Sequence, residues 1–220
     1  IAYIVGEHFY ISAKRKKLKT VVHVNGIRGK STVTRLIDAG LRGCGYKVFC
    51  KTTGTVPSTI DVENNVKPVR RLGPANIREQ MRVIRWAAKQ NAEVLVVECM
   101  AVNPELQYIC ENRILHADVN VITNVREDHL DEMGDDLESI AISLANTVPQ
   151  NGLLVLGSDS FYDIFAKCAN MRNSSVTVAK PYTGSELLDT FPDNISVALG
   201  VCDVLGLDRE KFFNGMRNYV

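Results

Sequence analysis

A chain of 220 residues, 45% of them hydrophobic, has room for one or two domains with a sizeable core. Its net charge is +1, from 26 Lys and Arg against 25 Asp and Glu, so there is no bulk electrostatic case for binding nucleic acid. Six scattered cysteines (Cys44, Cys50, Cys99, Cys110, Cys168, Cys202) form no C-x-x-C pair, which argues against a zinc site and fits reduced, mostly buried thiols in a cytosolic chain.

The chain opens on an apolar run, Ile1-Ala2-Tyr3-Ile4-Val5-Gly6, followed by Phe9 and Tyr10 and then by Lys14, Arg15, Lys16, Lys17 and Lys19. That order matches the end of a membrane helix with interfacial aromatics and a positive cytoplasmic flank. It matches equally an amphipathic helix with a solvated basic face. The run is too short to span a bilayer by itself, which takes about 20 apolar residues. Thr20-Val21-Val22-His23-Val24 then reads as a strand. It ends directly in Asn25-Gly26-Ile27-Arg28-Gly29-Lys30-Ser31, after which Val33, Leu36, Ile37 and Leu41 recur at helical spacing. Gly43 and Gly45 close that helix, and a short strand over 47–50 leads to Thr52-Thr53-Gly54-Thr55.

Residues 57–75, with Pro57, Pro68 and Pro74, read as a long loop or a β excursion. Asn76 is placed to cap a helix over 77–89, with Glu79 at the capping-box position. Val94-Leu95-Val96-Val97 is apolar throughout, as a strand covered on both faces must be. Pro104 opens a helix that reaches about Ile114. A strand over 119–123, a helix over 137–148, a strand over 152–157, a helix over 160–171 and a strand over 175–179 follow, and helices over 195–205 and 209–216 come last. Strands alternating with helices predict an α/β fold with a doubly wound, mainly parallel sheet flanked by helices. Ligands of such sheets bind beyond the carboxyl ends of the strands.

The junction of the first strand and helix has the layout of a nucleotide phosphate loop. Glycines let the backbone approach a polyphosphate, and the helix N-terminus offers amide groups and a favourable dipole to the anion. Asn25, Gly26, Arg28, Gly29, Lys30, Ser31 and Thr32 fall in this segment. Lys30 is placed to reach the outer phosphates, and the Ser31 hydroxyl to bind Mg²⁺. The pattern is the short Gly-x-x-Gly-Lys-Ser form, since Val24 stands where the long form needs glycine. The alternative is an ordinary strand–turn–helix connection with a chance lysine.

Other polar residues follow apolar runs in the same way. Glu98 comes directly after four apolar residues, where a carboxylate is costly unless it is paired or binds a metal. Mg²⁺ takes oxygen ligands and keeps waters while bridging phosphates, so Glu98 with Ser31 suits it; a salt bridge to a lysine, or simple exposure at the strand end, is the plainer account. The fourth strand delivers Asn124, Asp128, His129 and Asp131. His129 fits a metal ligand or an orienting group, and a lone loop histidine is more often neither. Asp128 and Asp131 fit a helix start equally well. Arg70, Arg71 and Arg78 are able to meet an anionic product or to form a solvated face.

Together these segments resemble the Mur ligase family: Gly-x-x-Gly-Lys-Ser after strand one, a Gly-Thr loop after strand two, a Glu after an apolar strand, and Asn-x-x-x-Asp-His-x-Asp later. Five strings are most similar to the poly-γ-glutamate synthase ligase branch (PgsB/CapB type). They are Asn25 to Arg35, Lys51-Thr52-Thr53-Gly54-Thr55, Glu98-Cys99-Met100-Ala101-Val102-Asn103-Pro104, Glu127 to Gly134, and Phe191-Pro192-Asp193-Asn194. The resemblance implies an ATP- and Mg²⁺-dependent amide ligase that joins glutamate through γ-carboxyl groups by way of an acyl phosphate. It implies catalytic roles for Lys30, Glu98 and His129, metal roles for Ser31, Glu98 and His129, substrate contacts at Thr53, Thr55, Asn124 and Asp128, and an adenine-side place for Asn194. Its expected partners are glutamate, the growing poly-γ-glutamate chain and the membrane subunits of a capsule-type synthase at the cytoplasmic face of the membrane. A homo-oligomer is left open.

The domain expectation is a membrane-proximal segment over 1–19 and an ATP-binding central domain over 20–220, with the family's C-terminal domain outside this chain. One departure is that many Mur ligases carry a modified lysine downstream of the histidine, where this chain has Ser143-Leu144-Ala145. The remaining readings are a Mur-type ligase for another acid, such as a peptidoglycan precursor or a folate, and a non-ligase P-loop NTPase.

Overall fold

The computed structural model describes residues 2–54, 56–71, 73, 75–184 and 190–219. Its strands are β1 (Thr20–Asn25), β2 (Val48–Thr52), β3 (Ser58–Ile60), β4 (Val66–Pro68), β5 (Val94–Glu98), β6 (Val119–Ile122), β7 (Leu153–Leu156) and β8 (Ser175–Val178). They form one sheet in the order β4-β3-β2-β5-β1-β6-β7-β8. From β2 to β8 all pairings are parallel; β3 and β4 add antiparallel to the β2 edge.

The apolar runs are continuous because both faces of the sheet are covered. Val22, Val24, Val94, Val96, Val119 and Val121 pack on one side with α2 (Lys30–Gly43) and with the last two helices, Pro192–Val204 and Arg209–Met216. Val21, Leu95 and Val97 pack on the other side against the helix over Arg78–Lys89. Ile122, Leu154 and Leu156 pack on helices Leu137–Leu144 and Tyr162–Met171. Leu36 and Ile37 of α2 are fully buried, and each such side chain contributes about 1.5–3 kcal/mol. Cys50, Cys99, Cys110 and Cys202 are buried free thiols.

Two local expectations are corrected, the capping box at Glu79 and the reach of the helix opened by Pro104, and elsewhere the structure decides between the readings offered. Residues 57–75 contain a β hairpin, in which Ile60 pairs with Val66 and Ser58 with Pro68. Glu79 does not close a capping box: it is buried, and both of its carboxylate oxygens accept from Arg71 Nε, at 3.0 and 3.1 Å. Asn76 Oδ1 does accept from Arg78 N at 2.9 Å. The helix opened by Pro104 ends at Ile109 and continues as a π-helical turn over Cys110–Leu115, where Glu111 pairs with buried His23 at 2.8 Å. Ala2–Arg15 is a helix whose basic end is partly structural, because Arg15 donates to Leu115 O, His116 O and Asp118, each at 2.7 Å. Among the described residues no helix is long and apolar enough to cross a membrane.

Candidate active site

Parallel registers bring the strand tips level. Val24 on β1 lies beside Glu98 on β5, Asn25 beside Ile122 on β6, and Lys51 on β2 beside Val97. The loop leaving β1 must turn sharply into α2, and two glycines allow it. Gly26 has φ +121° and Gly29 φ +79°, both in the region that side chains disfavour. A Cβ at Gly26 would collide with Thr123 Oγ1, and one at Gly29 with Asn194 Oδ1. The loop is also tied to the tip of β6. Thr123 Oγ1 and Asn124 Nδ2 donate to Arg28 O at 2.7 and 2.9 Å, while Asn124 Oδ1 accepts from Arg28 N at 3.0 Å. Lys30 Nζ lies 2.8 Å from Gly26 O and 3.1 Å from Ile27 O, which fixes the ammonium over the loop.

Glu98 is 2% exposed. One of its oxygens accepts from Ser31 Oγ at 2.9 Å and from Thr53 N at 2.6 Å. Three successive strand tips therefore meet at this carboxylate. A cavity of about 260 Å³, far larger than the single-water voids of a packed interior, opens beside it. Lys30, Thr53, Glu98, Met100 and His129 share its wall. His129 has φ +51°, is half exposed, and stands 3.9 Å from Asp128 through Nε2. Asp128 also pairs with Arg28 at 2.9 Å.

The residues fit a magnesium nucleotide. The loop offers a glycine cradle at the start of a 14-residue helix, with an ammonium over it and a hydroxyl next to a buried carboxylate. Among the described residues no group of three or more His, Cys, Asp and Glu is arranged to hold a metal; Ser31 and Glu98 are the oxygen-bearing side chains at the loop that could serve an ion beside a phosphate.

Some of the expected residues are turned elsewhere. The Asn25 amide points inward, donating to Gln107 Oε1 at 2.8 Å and Thr147 Oγ1 at 3.2 Å, and Gln107 in turn donates to Ser143 at 3.2 Å. Ser143 thus belongs to a buried network that holds the tip of β1. Asn124 is spent on the loop, Thr32 is half-buried on the first turn of α2, and Thr55 lies outside the described residues. Asn194, in the first turn of its helix, lies against Gly29.

Two basic residues stand beside the cavity, Arg71, one of the cations read as able to meet an anionic product, and Lys51, for which the sequence suggests no role. Arg71 lines the cavity while paired with Glu79. Lys51 is fully buried, and that burial pushes its ammonium below the ordinary lysine range, with Glu79 pulling the other way. The one signal for it was a charge abutting the apolar run Val48-Phe49-Cys50.

Residues 24–191 match the Mur ligase middle domain. The chain belongs to the Mur ligase family. This Mur ligase domain is 44% identical over 217 residues to the capsule biosynthesis protein CapB of Bacillus anthracis, an alignment covering 93% of this chain and 46% of that protein. It is 42% identical over 226 residues to PGA synthase CapB of Bacillus subtilis (strain 168), covering 94% and 56%. The chain spans about half the length of these curated relatives. Among solved structures, E. coli FolC in complex with DHPP and ADP shares the fold with a TM-score of 0.69 at 19% identity, covering 97% of this chain and 61% of that one. A bifunctional folylpolyglutamate synthase/dihydrofolate synthase with Mn, AMPPNP and L-glutamate bound gives 0.71 at 16% identity, covering 97% and 61%.

Proposed function

We propose that this domain is the ATP-binding part of an ATP-dependent amide ligase that joins glutamate units through their γ-carboxyl groups, in poly-γ-glutamate or capsule synthesis. The observation that carries the reading is the meeting of Lys30, Ser31 and Glu98 at the strand tips, in a chain over 40% identical to two CapB proteins.

A carboxylate is a poor acyl donor at neutral pH, and phosphorylation gives it a leaving group. In the proposed sequence a γ-carboxylate oxygen bonds to the γ-phosphorus of ATP, the bond to the β,γ-bridging oxygen breaks, and ADP leaves. The amino group of the next glutamate then bonds to the acyl carbon. The carbon–oxygen bond to phosphate breaks, phosphate departs, and the amine proton passes to solvent. Mg²⁺, when bound, supplies neutralisation of phosphoryl charge. The protein's own part is positioning and electrostatics. The Gly26–Gly29 backbone cradles the phosphates, Lys30 meets the outer ones, and Ser31 with Glu98 holds the metal. Asn194 stands beside Gly29 on the nucleotide side. Thr53 and Asp128 contact the substrate, and His129 orients it or joins the metal.

Residues 1–19 form a membrane-proximal segment and 20–220 the ATP-binding domain. The exposed Phe9 and Tyr10 beside Lys14 support an approach to the cytoplasmic face of the membrane, where the partners are the membrane subunits of the synthase. The test is hydroxylamine trapping with the full-length protein. ATP, Mg²⁺ and a γ-glutamate oligomer are expected to yield a glutamyl hydroxamate; ATP hydrolysis with no hydroxamate would contradict the ligase reading.

A further inference from the structure

The cavity carries more positive charge than the nucleotide reading uses. Among the described residues, the fully buried Lys51 has one hydrogen-bond partner for its ammonium, the Met100 thioether at 3.6 Å, which is a weak acceptor for a group with three donors. The carboxylates nearby are committed elsewhere: Glu79 to Arg71, and Glu98 to Ser31 and Thr53. Arg71 takes both oxygens of Glu79, and Glu98 acts on Lys51 only across a distance, so among the described residues the ammonium of Lys51 has no carboxylate within ion-pair reach and no oxygen acceptor. Gln80, also fully buried, donates to Glu98 O at 3.1 Å and keeps Oε1 without a partner among the described residues. Burying a cation without an anion is costly. Arg71 and Met100 both line the cavity that holds Lys30 and Glu98, so the missing anion has a way in.

We infer that Lys51 and Arg71 seat the α-carboxylate of the terminal glutamyl residue, leaving its γ-carboxyl to face the phosphate side at Lys30. The inference rests on glutamate being the acid substrate, as proposed above. Met100 is unbranched and swings aside at little cost, which opens Lys51 Nζ to the cavity. The incoming carboxylate supplies the oxygen acceptor that Lys51 lacks. The seat also gives a physical reason for γ-linkage. The two carboxyl groups of a terminal glutamate carry the same charge, so choosing one for phosphorylation requires that the other be held away.

The test uses the full-length protein, the hydroxamate assay, and two acceptors: tri-γ-glutamate and the same peptide with its terminal α-carboxyl converted to the carboxamide. The unmodified protein is expected to prefer the acid by at least about thirtyfold in kcat/KM. Lys51→Met is expected to erase most of that preference by raising KM for the acid, with unchanged affinity for Mg-AMPPNP. It is also expected to raise the midpoint of thermal unfolding, because an apolar chain of similar length replaces a buried ammonium that has no carboxylate in contact. Lys51→Arg keeps the charge and part of the preference. An unchanged KM and acid-over-amide ratio in Lys51→Met would overturn the carboxylate seat while the hydroxamate upheld the ligase. Lost nucleotide affinity or a lowered midpoint would make Lys51 structural and overturn the seat as well. No hydroxamate from the unmodified protein with either peptide would remove the ligase reading and the seat together.

Discussion

Lys30→Met is expected to lower ATP turnover by the full-length protein by about 10³-fold. The reason is where the ammonium stands. Two carbonyls of its own loop, at 2.8 and 3.1 Å, hold it at the start of α2, where the outer phosphates would lie. Methionine keeps most of the side chain's bulk and loses the charge. The two lost hydrogen bonds to part-buried carbonyls cost only about 1 kcal/mol each, so the fold should survive. Steady-state turnover read beside thermal unfolding separates the two effects. Turnover within threefold of the unmodified protein would remove Lys30 from the phosphate site.

Glu98→Gln is expected to cost about 10²–10³ in turnover and to raise the Mg²⁺ concentration needed for half-maximal rate. The substitution is nearly isosteric, but it removes the charge and places an amide where one carboxylate oxygen accepts two donors, Ser31 Oγ and Thr53 N. Glu98→Asp keeps the charge on a shorter arm and is expected to fall between the two. A Mg²⁺ titration is the measurement. Were Glu98 only a structural acceptor for the Thr53 loop, Glu98→Gln would lower stability and leave the Mg²⁺ midpoint where it was.

The central strands and the phosphate loop were legible because the relevant signals are local. An apolar run followed at once by a polar residue, as at Val97-Glu98 or Val24-Asn25, marks a strand tip without reference to the rest of the chain. What was not legible depends on residues far apart in sequence. Glu79 has correct capping-box spacing, yet the β3–β4 hairpin delivers Arg71 to it, and a buried ion pair outweighs a local cap. The amide of Asn25 is claimed by Gln107 and Thr147, 82 and 122 positions away. Arg15 reads as one of a run of solvated cations until Asp118 is brought beside it. Lys51 was passed over because the predicted strand stopped at Cys50. The actual strand runs to Thr52, which puts a lysine inside a buried element, where its charge asks for an explanation.

The central claim is that the strand tips converge on one magnesium nucleotide, and a crystal structure of the full-length protein with AMPPNP and Mn²⁺ tests it most directly. The expected result places the β- and γ-phosphates against the backbone N–H groups of Gly29, Lys30 and Ser31, with the metal about 2.1 Å from Ser31 Oγ and within reach of Glu98. A nucleotide bound away from this loop, or a metal that touches neither Ser31 nor Glu98, would contradict it.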